Sequence, residues 1–223
     1  MSSASIHGYI MFAVAGIEVL LAFFLMTKYQ KNPIAFWYSF FVWGVIGYVG
    51  ANAVTYVNFG APLFFHLLQW FSGVVATAAF FMFALHFPIR TSRPGAYEWV
   101  LFVFPVALFF FLIFFSGNFI TGLSQKFLPD QQIYGKTAMS FAVFFAFYWL
   151  LSIIHLVRKY YSSDGIHRWQ LRTLLLGAVA GPLALSSIFD VYLPLSGHYG
   201  YGWIGPETSI IWLGFTSYII LKK

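Results

Sequence analysis

The sequence predicts an all-α membrane protein: a bundle of seven transmembrane helices, with the N-terminus outside and the C-terminus cytoplasmic. Of the 223 residues, 61% are hydrophobic and only 8% are charged, whereas soluble domains carry about 25% charged residues. The apolar residues form long runs rather than alternating segments of about ten residues, which favours helices over a membrane barrel. A third observation, the distribution of the basic residues, sets the orientation.

Seven apolar runs each come close to the ~20 residues that a helix needs to cross a bilayer. In chain order, the predicted spans are Ile6–Thr27, Ile34–Tyr56, Pro62–His86, Tyr97–Phe115, Thr137–Val157, Leu171–Leu193 and Trp203–Leu221. Together they form one domain over residues 1–223. The residues before the first run, MSSASIH, lack the basic residues of a signal peptide, so we expect this run to remain as a helix.

The connections between the spans are short, apart from one. The segment NFGA (Asn58–Ala61) can form only a tight turn between the second and third spans. The fourth span carries phenylalanine on all sides, so we expect it to face lipid on much of its circumference. The longest connection, Ser116–Lys136, follows on the outer side. It is partly polar and can lie over the outer mouth of the bundle as a lid.

The lysine and arginine residues support seven spans and define their orientation. Ten of them fall on one side of a seven-span arrangement: Lys28, Lys31, Arg90, Arg93, Arg158, Lys159, Arg168, Arg172, Lys222 and Lys223. Only Lys126 and Lys136 fall on the other side. Cytoplasmic loops carry an excess of lysine and arginine, so the side with ten is predicted to be cytoplasmic. Six or eight spans would scatter these charges over both sides.

Several functions are excluded by residues that the chain lacks. There is no cysteine, which excludes disulfides, thiolate metal sites and a thiol nucleophile. A retinal protein needs a lysine within its last span, but Lys222 and Lys223 lie only at the edge of that span. The G-x-S-x-G motif of serine hydrolases is absent. The net charge of +6 reports membrane orientation first, so no nucleic-acid partner is predicted.

Polar residues converge on one level of the bundle, near its outer end. They are Asn52 in the second span, His66 and Gln69 on one face of the third, Ser187 and Asp190 in the sixth, Glu207 at the start of the seventh, and His7 and His198 nearby. A carboxylate is costly in hydrocarbon, so Asp190 and Glu207 are expected to face the protein interior or a wet cavity. The set predicts an outward-facing pocket for a small ligand. The alternative, which applies most to His7 and His198, is ordinary polarity at the membrane interface.

A metal site is a second interpretation of the same residues. His66, His198, Asp190 and Glu207 are of the types that bind zinc and other divalent ions. No histidine pair has the spacing of a metal-binding helix. We therefore predict no metal and no cofactor, and keep these four residues as the candidates should a metal be bound.

Glu18 lies deeper, near the middle of the first span. No lysine or arginine occurs at that depth in any span, so the neutral form of this carboxyl is expected. It can serve as a proton relay or as a buried ligand contact. Alternatively, it is a neutral acid that is hydrogen-bonded to a neighbouring helix, for example through Tyr48 or a backbone carbonyl.

Small residues form a stripe along the second span: Gly44, Gly47, Gly50 and Ala51. Membrane helices approach one another closely where small residues meet, because the backbones can then touch. The stripe therefore predicts a close helix neighbour for this span.

Four motifs together resemble a known family. FALHFP (Phe83–Pro88) closes the third span, HRWQLRTLLLG (His167–Gly177) opens the sixth, FDVYLP (Phe189–Pro194) closes it, and IGPETSIIWLGFTSYIILKK (Ile204–Lys223) forms the seventh. This set resembles the N-terminal seven-helix sensor region of bacterial membrane histidine kinases and related signalling proteins. The resemblance implies a cytoplasmic output such as a PAS or GAF domain, a kinase core or a cyclase. These 223 residues contain no phosphoacceptor histidine box or ATP-binding domain, so no enzyme activity is expected and no histidine is assigned as a phosphorylation site.

The expected function is that of a sensory or receptor module, a multi-pass protein of the cell inner (cytoplasmic) membrane. A small ligand, lipophilic or cationic, would bind in the outward-facing pocket formed by Asn52, His66, Gln69, Ser187, Asp190, Glu207 and Glu18, and the seventh span would carry the signal. Its partners would be that ligand, the lipid bilayer and an output domain in cis or in trans, with a homodimer left open. Two alternatives remain: a metal-dependent membrane enzyme with its site at the outer face, and a small transporter with Glu18 as the proton-coupling acid.

Overall fold

The computed structural model describes residues 3–28, 32–58, 62–89, 95–124, 131–177, 179, 184–196 and 201–221. Within these ranges, five helices are long and apolar enough to cross a membrane. They are α1 (Ser3–Lys28), α2 (Pro33–Val57), α3 (Leu63–His86), α4 (Ala96–Phe114) and α5 (Ala138–Ser162). Each lies over one of the first five predicted spans, because the apolar run that crosses a bilayer also sets the helix length.

Local signals explain where two of these helices begin. The side-chain oxygen of Asn32 accepts a hydrogen bond of 2.9 Å from the Ile34 N–H, and Pro33 takes the first helical position of α2, where no N–H is needed. Before α4, the Glu98 carboxylate accepts a hydrogen bond of 2.8 Å from the Gly95 N–H. This is one half of a capping box, in which the third helical residue gives the N–H of the N-cap residue a partner; Gly95 has no side chain to supply the other half.

The small-residue stripe lies where α2 meets α3. A Cβ added at Gly44 would lie 2.6 Å from the backbone nitrogen of Ala76, and one added at Gly47 would lie 2.5 Å from the Ser72 hydroxyl oxygen. A Cβ at Gly50 would meet nothing within 4 Å among the described residues. The predicted close approach is therefore confirmed at Gly44, where glycine lets the two backbones touch, and at Gly47, where glycine makes room for the Ser72 side chain.

The long connection Ser116–Lys136, predicted only as a loop, contains an antiparallel hairpin. Its strands are β1 (Ile120–Ser124) and β2 (Gln131–Tyr134). The hairpin packs over the first turns of α3, where the Trp70 ring meets the Tyr134 ring edge to face at 5.5 Å. We call this end of the bundle the hairpin end. Residues of this connection thus cover that end, as the predicted lid would.

The opposite end carries the basic residues of α5 and the helix that follows it. Arg158, Lys159, Arg168 and Arg172 lie there, and we call it the basic end. Lys159 reaches the last turn of α3, where its Nζ donates hydrogen bonds of 2.9, 2.7 and 2.7 Å to the carbonyls of Ala84, Leu85 and Phe87. The predicted cytoplasmic residues Lys31, Arg90, Arg93, Lys222 and Lys223, together with Lys126 and most of the turn Asn58–Ala61, lie outside the described residues.

The predicted sixth span, Leu171–Leu193, differs most from a regular helix. Its segments are α6 (Gly165–Leu174), π-helical residues 175–177 and 179, α7 (Ala184–Ser187), a π-helical segment (Ile188–Tyr192) and α8 (Leu193–Leu195). A π-helical turn accommodates an extra residue, so the apolar pattern continues across it with only a change of phase. That is why the sequence predicts one uniform helix here. Such turns are frequent at functional sites.

The last helix, α9 (Ile204–Leu221), packs against α1, α2 and α6. The Tyr38 hydroxyl on α2 donates a hydrogen bond of 2.7 Å to the Leu213 carbonyl. The Gln170 side chain on α6 donates one of 3.1 Å to the Ile219 carbonyl near the end of α9. Buried polar groups must find partners in an apolar surrounding, so these bonds hold α9 in one register against its neighbours.

Helix α4 lies at the periphery, as its phenylalanine content predicts. Its buried side chains form one stripe: Glu98, Phe102, Pro105, Phe109 and Ile113. On the other faces, Phe104 is 65% and Phe111 is 61% exposed. An apolar side chain that the protein does not cover is suited to lipid. The predicted lipid-facing circumference of this helix agrees with these exposures.

Candidate ligand-binding site

A small cavity lies inside the hairpin end, between α2, α3, the hairpin and the π-helical segment. Its volume is about 30 Å³, and its lining includes four of the predicted site residues: Asn52, His66, Gln69 and Asp190. Tyr48 and Gln132 also line it. A space of this size with several polar partners is suited to ordered water or to the polar end of a ligand. We call it the polar cavity.

Gln132 of the hairpin organises the polar cavity. Its Nε2 donates to His66 Nδ1 at 3.1 Å and to Gln69 Oε1 at 3.3 Å, and its Oε1 accepts from Trp70 Nε1 at 2.5 Å. Because His66 Nδ1 accepts, the ring proton is on Nε2, and His66 Nε2 has no acceptor among the described residues. His66 thus keeps a donor for a further partner.

Gln132 is not among the predicted site residues, although the sequence contains a signal for it. Successive side chains of a strand point to opposite faces. Gln132 and Tyr134 therefore share one face, and both line the polar cavity, while Ile133 between them is 53% exposed. The signal is detectable only if the connection is recognised as a hairpin.

Asn52 connects α2 to the segment before α9. Its Nδ2 donates a hydrogen bond of 3.2 Å to the Gly202 carbonyl, and its Oδ1 accepts one of 3.4 Å from the Thr55 hydroxyl. An amide with donors and an acceptor can make several bonds at once. Asn52 therefore positions this part of the cavity wall as well as lining it.

A second, larger cavity lies deeper, between α2, α3, α5, the π-helical segment and α9. Its volume is about 100 Å³, and we call it the apolar cavity. Its aromatic lining residues are Phe41, Tyr48, Phe80, Phe145, Trp149 and Trp212, and its other polar lining residues are Thr77, Ser187, Asp190 and Ser209. No lysine or arginine in the described ranges lines either cavity.

Asp190 lines both cavities. It belongs to the π-helical segment and is only 8% exposed. Its carboxylate occupies the position that a Cβ on Gly205 would take, so it packs directly on the first turn of α9. The N-terminal end of a helix carries a partial positive charge, which makes this a favourable position for a carboxylate. Gly205 is the residue that permits so close an approach.

Glu207, unlike Asp190, lines neither cavity among the described residues. His7 Nδ1 lies 2.6 Å from Glu207 Oε1, and the His7 ring stacks on Trp203 with centroids 4.3 Å apart. This group joins the start of α1 to the start of α9. Asp190 and Glu207 were predicted to line the same pocket, whereas in the structure they contact different residues, Gly205 and His7 respectively.

Glu18 does not line the apolar cavity itself, but it contacts a residue that does. Its Oε1 lies 2.5 Å from the hydroxyl oxygen of Ser209, and Ser209 lines that cavity. The neighbouring helix is thus α9, and the partner is Ser209 rather than Tyr48. Ser187, the remaining predicted site residue, lines the apolar cavity only.

The metal interpretation gains no support within the described ranges. They contain no group of three or more histidine, aspartate or glutamate side chains placed to hold an ion. His66 and Asp190 share the polar cavity, and Glu207 pairs with His7. His198, the fourth candidate ligand, lies outside the described residues.

The fold and the site define a class: a multi-pass helical membrane protein with polar groups gathered inside one end of the bundle. The chain belongs to the family described as the N-terminal seven-transmembrane region of histidine kinase, whose model matches residues 10–201. None of the curated proteins matches the chain. Membership of this family makes the protein a membrane sensory module. It also implies a cytoplasmic output domain, in the same chain or in another.

Proposed function

We propose that this module binds a small ligand in the two cavities that meet at Asp190, and that α9 carries the resulting change towards the output domain. One observation carries the proposal. The Asp190 carboxylate lines both cavities and also packs on Gly205 in the first turn of α9. A ligand that contacts this carboxylate therefore acts directly on the start of the last helix.

The contacts along α9 support its role in transmission. Polar side chains of three other helices bond to it at successive levels: Glu18 at Ser209, Tyr38 at Leu213 and Gln170 at Ile219. Because these bonds are spread along its length, we expect α9 to shift between its positions as one rigid element rather than to bend. A shift at Gly205 then reaches the basic end of the bundle. The ligand must bind the two positions of α9 with different affinity, since otherwise it shifts nothing.

We place the hairpin end outside the cell and the basic end in the cytoplasm of a seven-span protein of the inner membrane. The support is the excess of basic residues at one end and the seven-transmembrane family. In this orientation the polar cavity faces outwards and α9 ends on the cytoplasmic side. A homodimer remains a prediction from the sequence.

The proposal is tested by a distance measurement between two spin labels at the basic end. The chain has no cysteine, so Tyr161→Cys on α5 and Tyr218→Cys on α9, both exposed, give two specific attachment sites. Gly205→Ala is then introduced at the opposite end of α9, where the new Cβ would collide with the Asp190 carboxylate. We expect the distance between the labels to change, because α9 moves as a unit.

Gly214→Ala is the matched control, since a Cβ there meets nothing within 4 Å among the described residues. It should leave the distance between the labels unchanged. If Gly205→Ala alters the structure around Asp190 but leaves the labels at the basic end in place, α9 does not transmit and the proposal is wrong.

A further inference from the structure

We propose that an anionic phospholipid binds in a groove between α6 and α9 at the basic end of the bundle, with its phosphate on Arg172 and the first part of an acyl chain against Leu176 and Phe215. This groove lies at the opposite end of the bundle from the polar cavity, so the inference goes beyond the proposed function and does not depend on it. The shape, the charge and the residue order of the groove all favour this class of ligand.

One face of α6 and of the π-helical residues after it forms most of the groove. Its volume is about 380 Å³, and its described lining residues are Trp169, Arg172, Thr173, Leu176, Gly177 and Phe215. The first five have the spacing i, i+3, i+4, i+7 and i+8 of a single helix face. A Cβ on Gly177 would collide with the Phe215 ring, so glycine lets this ring of α9 pack directly on the backbone of the other wall.

The charge of the groove favours an anion. Arg172 is exposed and forms no ion pair with an acidic side chain in the described part of the chain. The described lining also contains no aspartate or glutamate. A guanidinium group presents paired N–H donors that match two oxygens of a phosphate. Basic pockets between membrane helices bind the headgroups of anionic lipids in this way.

A neighbouring arginine is held away from the groove. Arg168 lies one turn before Arg172, and its Cζ is 5.0 Å from the centroid of the Tyr160 ring on α5. An arginine in this position makes a cation–π contact. Arg172 is therefore the cation that the groove itself offers to a ligand.

The order of the residues along α6 matches the layers of a membrane. Trp169 and Arg172 lie nearer the basic end, and both types of side chain are suited to the membrane interface. Leu176 lies about 6 Å further along the helix than Arg172, towards the middle of the bundle. It is 63% exposed, and Phe215 beside it is 37% exposed. A ligand with a phosphate at one end and hydrocarbon at the other fits both parts of the groove.

The test measures lipid binding to the full chain by native mass spectrometry from a non-ionic detergent. Phosphatidylglycerol and phosphatidylcholine with the same acyl chains are added in equal amounts. We expect phosphatidylglycerol to bind about fivefold more tightly, which is the preference that one arginine near a membrane surface provides. Equal binding of the two lipids to the parent protein would overturn the inference.

Substitution of Arg172 tests the headgroup contact. Arg172→Gln removes the charge, so the preference for phosphatidylglycerol should fall to within about twofold, whereas Arg172→Lys should retain most of it. Arg158→Gln is the matched control, because Arg158 is exposed at the same end but is not among the described lining residues; it should keep the preference. If Arg158→Gln and Arg172→Gln weaken the preference equally, net charge attracts the lipid and the inference is wrong.

A second variant locates the bound lipid. Thr173→Phe fills the groove from α6 without a change of charge and should weaken the binding of phosphatidylglycerol by about fivefold or more. Thr173→Leu is the milder form if the larger side chain prevents folding. Unchanged binding in both variants places the lipid elsewhere and overturns the inference.

Competition with glycerol phosphate separates a phospholipid from a free anion. This competitor has the phosphate but no acyl chain, so a molar excess of it should leave phosphatidylglycerol bound. Displacement would show that the groove binds the anion alone and that the phospholipid assignment is wrong. None of these outcomes bears on the two cavities at Asp190, since the role of α9 is judged separately by the spin-label distances.

Discussion

Glu18 and Ser209 join the first and last helices at mid-height through an oxygen–oxygen contact of 2.5 Å. The Ser209 hydroxyl also lies 2.7 Å from the carbonyl oxygen of Pro206. A serine hydroxyl has one proton to donate, so it can serve only one of these two acceptors. Both contacts are satisfied when Glu18 carries a proton and donates it to Ser209 while Ser209 donates to Pro206.

Substitution of Glu18 tests this arrangement. We expect the infrared spectrum to contain the carbonyl band of a protonated carboxylic acid, and Glu18→Gln to remove it with little loss of stability, because an amide retains a donor for Ser209. Glu18→Leu should lower the free energy of unfolding by about 1 kcal/mol, the typical contribution of one hydrogen bond. Glu207→Gln should leave the band in place. A band that persists in Glu18→Gln would contradict the assignment.

The contact between Asp190 and Gly205 predicts a strongly coupled pair of substitutions. Gly205→Ala should lower the free energy of unfolding by about 1–3 kcal/mol, the usual cost of overpacking, because the new Cβ occupies the position of the Asp190 carboxylate. In an Asp190→Ala background the carboxylate no longer occupies this space. There, Gly205→Ala should lower the free energy of unfolding by at least about 1 kcal/mol less than it does in the parent protein. Denaturant unfolding of the four proteins measures the coupling. Additive effects would show that the two residues do not touch.

The glycines of α2 provide a comparison within one helix. Gly44→Ala should separate α2 from α3 and cost about 1–3 kcal/mol, since its Cβ would lie 2.6 Å from the Ala76 nitrogen. A Cβ at Gly50 meets nothing within 4 Å in the described part of the chain, so Gly50→Ala should be neutral or slightly stabilising, because alanine favours helix. Thermal unfolding in the same detergent compares the two. Equal effects at both positions would show that close packing at Gly44 is not the cause.

Lys159 should contribute to stability at the basic end. Its Nζ donates to three carbonyls at the end of α3, a place where an unpaired carbonyl would be costly. Lys159→Met keeps most of the length of the side chain but removes the three hydrogen bonds, and it should lower the free energy of unfolding by about 1–3 kcal/mol. Arg158→Met, an exposed neighbour, should change it by less than about 0.5 kcal/mol. If both variants lower the free energy of unfolding equally, the loss of one positive charge explains the effect and the three hydrogen bonds do not.

Gln132 should hold the hairpin on α3. Gln132→Ala removes its bonds to His66, Gln69 and Trp70, so the amides of β1 and β2 should exchange hydrogen faster. Ile133→Ala, on the exposed face of the same strand, is the control and should change exchange less. Hydrogen–deuterium exchange with mass spectrometry resolves this segment. Equal protection in parent and Gln132→Ala would mean that other contacts hold the hairpin.

The helices could be predicted from the sequence because their cause is local. Each of the first five apolar runs is a helix over nearly its whole length, since hydrocarbon leaves the backbone no other way to satisfy its hydrogen bonds. The stripe of Gly44 and Gly47 was also predictable, because residue size alone decides how closely backbones approach. The π-helical segment at Asp190 was not, since an inserted residue shifts the helical phase without interrupting the apolar run.

The candidate site could be predicted only in part. The positions of Asn52, His66, Gln69 and Asp190 within the predicted spans were enough to place these polar residues at one level of the bundle. All four line the same cavity. Gln132 was missed because its strand was read as a loop. Glu207 was grouped with Asp190 because both are acids near one turn, whereas its partner is His7 at the other end of the sequence.

By itself, the sequence determined that the chain is a helical membrane protein, which family its motifs resemble, and which polar residues lie near one end. These properties depend on composition and on spacing along single helices. Only the tertiary structure decided which of those residues meet: Gln132 with His66, Glu18 with Ser209 and Asp190 with Gly205. The physical reason is that such contacts join residues distant in the chain, and they arise from how the helices pack against one another rather than from any local pattern.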